Sequence, residues 1–407
     1  MFRPVIGGSL YREQCIPSFP RTGTVNAQIR IRRAGSIDDI GRALWDGLEP
    51  RSPFMSYGWL KTLEEVLRDN GRPVYYLLEQ GAECLAASVC YVASAAERNA
   101  RIDRFILGGL SGVASRFGIT SGPVFRLGPL HGYGEHLLLS PGLDPRRRAS
   151  CIHAMVDRIE RDAAHEGASL FAFNVSERQH ELYEVLVNRG YHRTAAHPKN
   201  RLDIRWQSFD EYLSDRSAVS GKMRRTIRLQ MRKNVQAGVC IRESSENQDK
   251  QTLYRLVRDH HLRLNGASYP YTERLFDSLE EHLGPKVLIL VAEKGGDTVG
   301  VSVMLRHRDS GWTSFIGLDH ARTGNDFSYF NIGYYEIIRR AIEMRLQTLY
   351  YGDMMYRVKR RRGCRLEQSH VFHKSAGALR HAIAHPWFVF HRLWYEKRKI
   401  PRVLRER

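Results

Sequence analysis

The feature that most constrains the fold is an internal repeat. The segment 79-EQGAECLAASV-89 aligns with 293-EKGGDTVGVSV-303, and the two share Glu, Gly, Ser and Val at equivalent positions. An aliphatic run precedes each copy, and a short Gly-containing polar turn separates it from a second strand-like run. This arrangement predicts a β-hairpin in each copy. The chain is therefore expected to contain the same supersecondary unit twice.

A second pair of segments extends the repeat. Residues 150–175 and 331–353 each have the pattern of an amphipathic helix that leads into a β-strand. The sequence therefore predicts an α+β protein with two tandem domains, each a mixed, mostly antiparallel sheet covered by helices. The predicted boundaries are 1–27 for an N-terminal extension, 28–205 for domain 1, 206–380 for domain 2 and 381–407 for a basic, aromatic tail.

The length and the charge narrow the class of protein. At 407 residues the chain exceeds the size of one ordinary core, which agrees with two domains. Lys and Arg number 63 against 44 Asp and Glu, which gives a net charge of +19. Such an excess favours polyanionic partners, whether nucleic acid, a phosphate-rich cofactor or an acidic membrane surface.

The sequence shows no signal for a membrane span, export or a metal. No apolar run has the length of a membrane helix, and the N-terminal residues lack the apolar segment of a secretory signal. The six cysteines are scattered, without CxxC pairs or Cys/His clusters at zinc spacing. We therefore expect a cytoplasmic protein without a bound metal or a disulfide framework.

A basic segment at 216–239 predicts either a solvated helix face or an anion-binding surface. No acidic residue lies between Arg216 and Gly238, and Gly238 is expected to end the helix. Apolar residues recur at every fourth position and predict a packed stripe of Met223, Ile227, Met231 and Val235. A second acid-free run, 357-RVKRRRGCR-365, favours the anion-binding alternative, because clusters of one sign repel one another unless an anion neutralises them.

Three stretches carry a family resemblance. They are 209-FDEYLSDRSAVSGKMRRTIRLQMRKNVQAG-238, 269-YPYTERLFDSL-279 and 351-YGDMMYRVKRRRG-363. Together with the repeated order of hairpin, helix and strand, they resemble the GNAT acyltransferase fold, and the doubling resembles its Fem-like branch. Members of that branch carry two such domains and often use aminoacyl-tRNA. The resemblance covers most of 206–380 and is weaker over 28–205.

The chain also departs from the family pattern. Arg357 stands directly after Tyr356 where the family usually has Lys, and Lys359 follows two positions on. The long helical hairpin that some cell-wall members insert is missing, so the resemblance does not imply a peptidoglycan role. GNAT enzymes that bind acetyl-CoA hold its pyrophosphate with a Gly-rich loop at a helix start, and neither 108–118 nor 322–333 has the required spacing. The resemblance therefore implies tRNA rather than coenzyme A, and no cofactor.

The turn 350-YYGDMMYRVK-359 is the best candidate for chemistry. Aminoacyl transfer from a tRNA ester needs an amine held near the ester and a positive charge where the oxyanion develops. Asp353 is predicted to orient or deprotonate the amine, with Tyr356 beside it. Because an ammonium suits an oxyanion and a guanidinium suits phosphate, we assign Lys359 to the chemistry and Arg357 to the tRNA 3′ end. The alternative is that Asp353 caps a helix and Tyr356 belongs to the core.

Substrate binding is predicted beside this turn. Tyr351 and Gly352 belong to the turn itself, and Tyr269 and Tyr271 lie in a stretch that borders the acceptor pocket in the resembling family. The alternative for the latter two is an aromatic pair of the core or surface, before a helix capped by Thr272. The predicted tRNA-binding residues are cations of the two basic runs, namely Lys222, Arg224, Arg225, Arg228, Arg232, Lys233, Arg360, Arg361 and Arg362.

The sequence thus predicts an aminoacyl-tRNA-dependent aminoacyltransferase that forms an amide or ester on an amine or hydroxylamine-like acceptor. The expected partners are aminoacyl-tRNA and a small-molecule amine, with no obligatory membrane. Two alternatives stay open: an acyl-CoA-dependent N-acyltransferase with a degenerate loop, and a non-catalytic RNA- or membrane-binding protein on an acyltransferase scaffold. The tail from residue 386 is expected to stack on RNA bases, to lie on a membrane or to pack on domain 2.

Overall fold

The strands that the structure describes form two sheets. The computed structural model describes residues 29–67, 71–93, 123–266 and 269–405, so the predicted extension at 1–27 lies outside the described residues. The strands, in chain order, are β1 (Ile29–Ala34), β2 (Arg72–Gln80), β3 (Glu83–Ala93), β4 (Val124–Leu127), β5 (Leu137–Leu139), β6 (Ser169–Ser176), β7 (His192–Ala195), β8 (Lys199–Asp203), β9 (Val239–Glu243), β10 (Val287–Lys294), β11 (Asp297–His307), β12 (Ser310–Leu318), β13 (Thr348–Gly352), β14 (Arg365–Glu367) and β15 (Ser369–Lys374).

Helices cover both sheets. In chain order they are α1 (Arg42–Gly47), α2 (Tyr57–Val66), α3 (Pro145–His165), α4 (His180–Asn188), α5 (Phe209–Ser214), α6 (Gly221–Gln236), α7 (Lys250–Asn265), α8 (Leu275–Leu283), α9 (His320–Thr323), α10 (Ser328–Phe330), α11 (Glu336–Glu343), α12 (Tyr356–Arg360), α13 (Ala378–Trp394) and α14 (Ile400–Arg405). A π-helical turn, Asn331–Tyr335, joins α10 to α11, and a second one, Tyr395–Lys399, joins α13 to α14. The predicted α+β class with mostly antiparallel sheets is confirmed.

Both predicted hairpins are confirmed. The β2–β3 and β10–β11 pairs are antiparallel and are connected by two-residue turns that begin at Gly81 and Gly295. Both glycines have positive φ, 63° and 59°, a conformation that costs a residue with a Cβ atom additional energy. The ladder shifts register between Leu78 and Glu79, and again between Ala292 and Glu293. The repeat in the sequence is thus a repeat in structure, down to the position of the irregularity.

Helix ends follow local sequence signals. The carboxylate of Asp144 accepts the backbone N–H groups of Arg146 and Arg147, and Pro145 occupies the first turn of α3. A side-chain acceptor at this position satisfies backbone donors that have no partner within the helix. Gly266, in the left-handed conformation, ends α7.

The two sheets exchange a strand. The first sheet has the order β1-β2-β3-β4-β6-β15-β7, with β5 paired to β3, and the second has the order β14-β8-β13-β12-β11-β10-β9. Strand β8 therefore leaves the first half of the chain and pairs between β13 and β14 of the second sheet. Strand β15 makes the reverse crossing and pairs between β6 and β7 of the first sheet. Neither sheet is continuous without a strand from the other half of the chain.

A shared hydrophobic core joins the two halves. Alternate residues of a strand face opposite sides of its sheet, and in β2 Tyr75 faces the shared core whereas Tyr76 packs with the residues of α3. The same shared core includes Val291 of β10, Trp59 of α2 and Phe276 of α8. Helices α2 and α8 pack against each other within it. The outer faces of the two sheets have their own cores beneath α3 and α6.

The basic helix α6 forms as predicted, but its buried face is rotated. Met223 and Ile227 are buried, whereas Val235 is 72% exposed. Residues four apart advance by about 40° around a helix of 3.6 residues per turn, so a strict four-residue spacing leaves the packed face after two steps. Gln230 and Asn234 are the buried residues that continue that face. The predicted stripe is therefore wrong at its C-terminal end.

We predict that Phe372→Ala, in the C-terminal part of the chain, destabilises the first sheet. Phe372 of β15 is fully buried in the core beneath α3 and contacts the ring of Tyr183. Its truncation should lower the free energy of unfolding by about 3–5 kcal/mol, because it leaves a cavity. Hydrogen exchange should increase in β6 and β7, which both pair with β15.

Phe390→Ala is the matched control for this substitution. Its side chain is 58% exposed, so the free energy of unfolding should change by no more than about 0.5 kcal/mol. Denaturant unfolding with hydrogen-exchange mass spectrometry measures both effects. Faster exchange confined to the second sheet would contradict the strand exchange.

Candidate functional site

A cavity of about 720 Å³ lies where the strands of the second sheet separate. The parallel pairing of β12 with β13 extends only from Ser310–Trp312 to Thr348–Tyr350. Beyond it, residues 313–316 of β12 and residues 351–353, at the end of β13 and directly after it, line the cavity. The first half of the chain also contributes to the lining, through residues that include Phe54, Arg126, His131, Tyr133, Phe173 and Lys199. Both repeats therefore build this site.

The turn after β13 forms one wall of the cavity and has an unusual backbone. Gly352, Met354 and Met355 have φ values of 65°, 60° and 51°. For the two methionines this left-handed conformation costs about 1–2 kcal/mol each. Asn200 of β8 opposes that cost, since its side-chain amide donates to the carbonyl of Gly352 at 2.9 Å. The N–H of Gly352 donates to the hydroxyl of Tyr133 at 3.1 Å.

Lys359 holds the same turn from inside. Its ammonium donates to the carbonyl of Tyr351 at 2.7 Å and to that of Asp353 at 2.6 Å. The side chain is buried, and burial lowers the pKa of Lys359 to about 8, against the opposing effect of the Asp353 carboxylate. Lys359 also lines the cavity. A cation thus lies at the place predicted for the chemistry, and it also supports the backbone.

Asp353 has a partner that the sequence did not reveal. The ammonium of Lys199, at the start of β8, donates to its carboxylate at 2.9 Å. Burial works to raise the pKa of Asp353, but the charge of Lys199 outweighs it, and the pKa is lower than usual. The Asp353 side chain remains 42% exposed. The carboxylate is therefore ionised and accessible. It does not cap α12, because the N-cap residue of that helix is Met355 and no side chain makes a capping hydrogen bond there.

Tyr356 and Arg357 lie apart from the cavity wall. Tyr356 is buried, and its hydroxyl donates to the carbonyl of Pro198 at 3.1 Å, which corresponds to the core alternative. Arg357 is exposed on α12 and is not among the residues that line the cavity. Of the four predicted catalytic residues, the structure places Asp353 and Lys359 together at the cavity.

The predicted aromatic pair lines the opposite wall. The hydroxyl of Tyr271 is 2.5 Å from Nδ1 of His131, a hydrogen bond between the two repeats. Tyr269 is also buried, and its hydroxyl has no hydrogen-bond partner among the described residues. Thr272 does not cap the following helix, because α8 begins at Leu275 and no side chain caps it. A buried, unpaired hydroxyl in a cavity wall is available to a polar ligand.

Most of the predicted RNA-binding cations are on the surface. On α6, Arg224 is half-buried and the other predicted cations are exposed, namely Lys222, Arg225, Arg228, Arg232 and Lys233. None of these six residues forms an ion pair within the described part of the chain. Arg360 and Arg361 are exposed as well. Arg362 is buried, where its guanidinium donates to the Tyr335 hydroxyl at 2.6 Å and lies over the rings of aromatic neighbours. The structure thus places Arg362 inside domain 2 and away from the basic surface.

The segment 322–333, one of the two loops considered for pyrophosphate, contains a carboxylate at its helix start. Asp326 is buried, accepts the backbone N–H of Ser328 at 2.9 Å and pairs with Lys294 at 3.1 Å. A diphosphate at this helix start would need that N–H and would meet the negative charge of Asp326. The other segment, 108–118, lies outside the described residues.

Two groups of side chains have donor atoms close enough to share a metal ion, within the ranges that the structure describes. They are His192, His373 and His381, and Glu65, Glu281 and His282. Neither group lines the cavity. In the first group both ring nitrogens of His381 are already bonded, Nδ1 to the N–H of Ser375 and Nε2 to the carbonyl of Gly190.

Comparisons with known proteins agree with this architecture. The model of the FemAB-like family, described as peptidoglycan biosynthesis/recognition, matches residues 36–390. Among curated proteins, a search found no match to the chain. The solved structure of FemX is similar with a TM-score of 0.53 and 9% identity, over 87% of this chain and 99% of FemX.

Two further solved structures are similar at lower scores. One is L-PGS from Bacillus licheniformis, with a TM-score of 0.48 and 11% identity over 82% of this chain and 94% of that protein. The other is a tandem GNAT protein from the clavulanic acid biosynthesis pathway, with a TM-score of 0.47 and 13% identity over 86% of this chain and 99% of that one. The family match spans most of the sequence, and the FemX likeness is one of fold. The chain therefore belongs to the FemAB-like family.

Proposed function

We propose that the protein transfers an amino acid from aminoacyl-tRNA to the amine of a small acceptor and forms an amide. The observation that carries this proposal is the cluster of Lys199, Asp353 and Lys359 at an open cavity between the two repeats. The acceptor nitrogen attacks the ester carbonyl, the carbon–nitrogen bond forms, and the bond to the tRNA 3′ ribose oxygen breaks. The leaving ribose oxygen takes up one proton, which balances the proton that the amine nitrogen loses as the amide forms.

The three charged side chains suit different parts of this reaction. An ammonium carries three N–H donors, and two of those of Lys359 are used by carbonyl oxygens of the turn. The third is available for the oxyanion that develops on the ester carbonyl. Asp353 is ionised and has a low pKa, so it is a better hydrogen-bond acceptor for positioning the amine than a strong base. Lys199 keeps that carboxylate in place.

The basic surface of α6 supports tRNA as the carrier of the amino acid. Its cations have no acidic partners within the described part of the chain, and a phosphate backbone neutralises such a row. Helix α6 packs on the π-helical turn, since Asn331 donates to the carbonyl of Gln230 and Tyr335 bonds to its side chain. Gly333 and Tyr334 of the same turn line the cavity. Helix α6, which carries the basic surface, is therefore connected to the cavity wall through this turn.

The acyl-CoA alternative has less support. The carboxylate of Asp326 occupies the helix start at which a diphosphate would bind in the second repeat. The family description names peptidoglycan, so amine-bearing peptidoglycan precursors belong among the acceptors to be tested, although the sequence lacks the helical hairpin of some cell-wall members. The cytoplasm, where charged tRNA is made, is the proposed location.

The direct test supplies charged tRNA and a panel of amines. The full-length protein is incubated with a radiolabelled aminoacyl-tRNA pool and acceptors that include amino acids, diamines and peptidoglycan precursors. Formation of a labelled amide, with release of uncharged tRNA, is the expected result. Product formation with acetyl-CoA, and none with any aminoacyl-tRNA, would establish the acyl-CoA alternative instead.

We predict that the triple substitution of Arg225, Arg228 and Arg232 by Ala weakens tRNA binding without unfolding the protein. All three are exposed, and the buried residues of α6 are untouched. The slope of log affinity against log salt should become shallower by about 0.7–0.9 for each phosphate that the protein no longer neutralises. Filter binding over a salt series measures the slope.

A control triple substitution, Arg72→Ala, Arg146→Ala and Arg255→Ala, removes the same charge from exposed positions on other elements. It should leave the salt slope nearly unchanged. Equal slopes for the two triple variants would show that only the net charge of the protein matters.

We predict that Lys359→Met lowers kcat by about 10²–10³, the loss typical of one oxyanion donor, with little change in tRNA affinity. Methionine has an unbranched side chain that is one atom shorter than that of lysine, and it carries no charge. Arg357→Met is the matched control, because it removes an exposed cation two residues away. It should keep kcat and raise KM for aminoacyl-tRNA. The opposite pattern would exchange the two roles, and full activity of both variants would place the chemistry elsewhere.

We predict that kcat/KM for aminoacyl-tRNA, measured at a constant concentration of the neutral acceptor amine, falls as the pH rises through about 8. The pKa of Lys359 is lowered to about 8, so its ammonium is present below that pH and is lost above it. Initial rates between about pH 6 and 9.5, corrected for uncatalysed loss of the ester, should show this decline. The same decline should occur in Arg357→Met, because this variant keeps Lys359, the group that titrates. If kcat/KM instead rose steadily up to about pH 9.5, the reaction would not require the charged form of Lys359.

A further inference from the structure

Helix α13 has two apolar faces, and only one of them is packed. Phe388 is buried and stacks against His192 and His373, with ring centroids 5.0 and 4.3 Å apart. His381 stacks on His192 at 3.8 Å from the same side of the helix. These contacts attach α13 to β7 and β15 of the first sheet. The tail therefore packs on the first sheet through α13, and on α12 of domain 2 through α14.

The opposite face of α13 is apolar and exposed. Leu379 is 75% exposed, Ile383 70%, Phe390 58% and Trp394 43%. At 100° per residue, these four positions fall within an arc of about 60°, and His381 and Phe388 point away from it. Exposed apolar residues that occur singly need no explanation, but a continuous stripe marks a binding surface.

The charges around this stripe select its partner. From residue 378 to 405 the only acidic residue is Glu396, whereas the same segment carries seven Lys and Arg residues. Arg380, Lys397 and Arg398 are exposed. An apolar stripe with aromatic residues and flanking cations is the pattern of a helix that lies in the interface of an anionic bilayer.

Other occupants fit the stripe less well. Leu379 and Ile383 have no aromatic face, so they cannot stack on nucleic-acid bases. A symmetric dimer through this face would bring the flanking cations of two copies together, which opposes association. None of the helices that the structure describes is long and apolar enough to cross a membrane, so binding would be at the surface.

We propose that the exposed face of α13 (Leu379, Ile383, Phe390 and Trp394) binds the surface of membranes that contain anionic lipids. This goes beyond the transfer reaction and does not depend on it. Helix α14 packs against α12, the helix that follows the Asp353 turn. Because a π-helical turn joins α13 to α14, a membrane-bound α13 would be directly connected to the helix that packs beside the candidate site.

The test uses vesicles and the full-length protein. Phosphatidylcholine vesicles with about one third phosphatidylglycerol are compared with phosphatidylcholine alone by co-sedimentation, and Trp fluorescence reports entry into the interface. The protein should bind the anionic vesicles with a blue shift. Leu379→Gln, Ile383→Gln and Phe390→Gln together should weaken that binding at least about tenfold, because partition follows the apolar area buried.

The matched control is Val187→Gln, Leu229→Gln and Val235→Gln, which changes exposed apolar residues outside the tail. It should bind vesicles as the wild type does, and circular dichroism should show both triple variants folded. Three outcomes overturn the proposal. The first is that the wild-type protein does not bind anionic vesicles, and the second is that both triple variants bind them equally well. The third is that the wild-type protein does not bind vesicles and the α13 variant loses tRNA binding or dimer formation. The last would assign the face to RNA or to a second copy. None of these results depends on the transfer activity.

Discussion

The pairing of β8 with β13 is the interaction on which the rest of the site depends. It brings Lys199 and Asn200 from the first half of the chain to a turn that belongs to the second. Asn200 holds the backbone of that turn, and Lys199 holds the Asp353 carboxylate at its tip. The reciprocal placement of β15 between β6 and β7 makes the two sheets dependent on each other. The candidate site is thus a product of the strand exchange and not of either repeat alone.

The turn stores strain that its neighbours offset. Two methionines with positive φ cost about 1–2 kcal/mol each, and the desolvation of the Lys359 ammonium adds to the cost. Hydrogen bonds from a charged group contribute about 1.5–3 kcal/mol each, and Lys359 makes two to the turn. The result is a backbone fixed in one conformation before any substrate binds. Such preorganisation is what electrostatic stabilisation of an oxyanion requires.

Local features could be predicted from the sequence, and features that join distant segments could not. The hairpins followed from two-residue Gly turns and strand-like runs, which are local signals repeated at Gly81 and Gly295. The existence of α6 followed from its periodicity, but its buried face required knowledge of what it packs against, so Val235 was misplaced. Arg362 looked like one cation among many, because the aromatic rings around it, such as Tyr335, come from a different part of the chain. Lys199 was missed for the same reason, because no sequence pattern near it predicts that β8 pairs with strands of the other half of the chain.

The exchange of β8 and β15 also bears on how the chain is made. Synthesis proceeds from the N-terminus, and domains generally fold as they emerge. Here the first sheet cannot be completed until residues 369–374 have been synthesised, because they form β15, which pairs with both β6 and β7. Most of the 407 residues have then left the ribosome. Until that moment both strands present unpaired edges, which are sites of association with other chains. A chain released before β15 has been synthesised would therefore have a first sheet that ends at β6, with β7 unpaired.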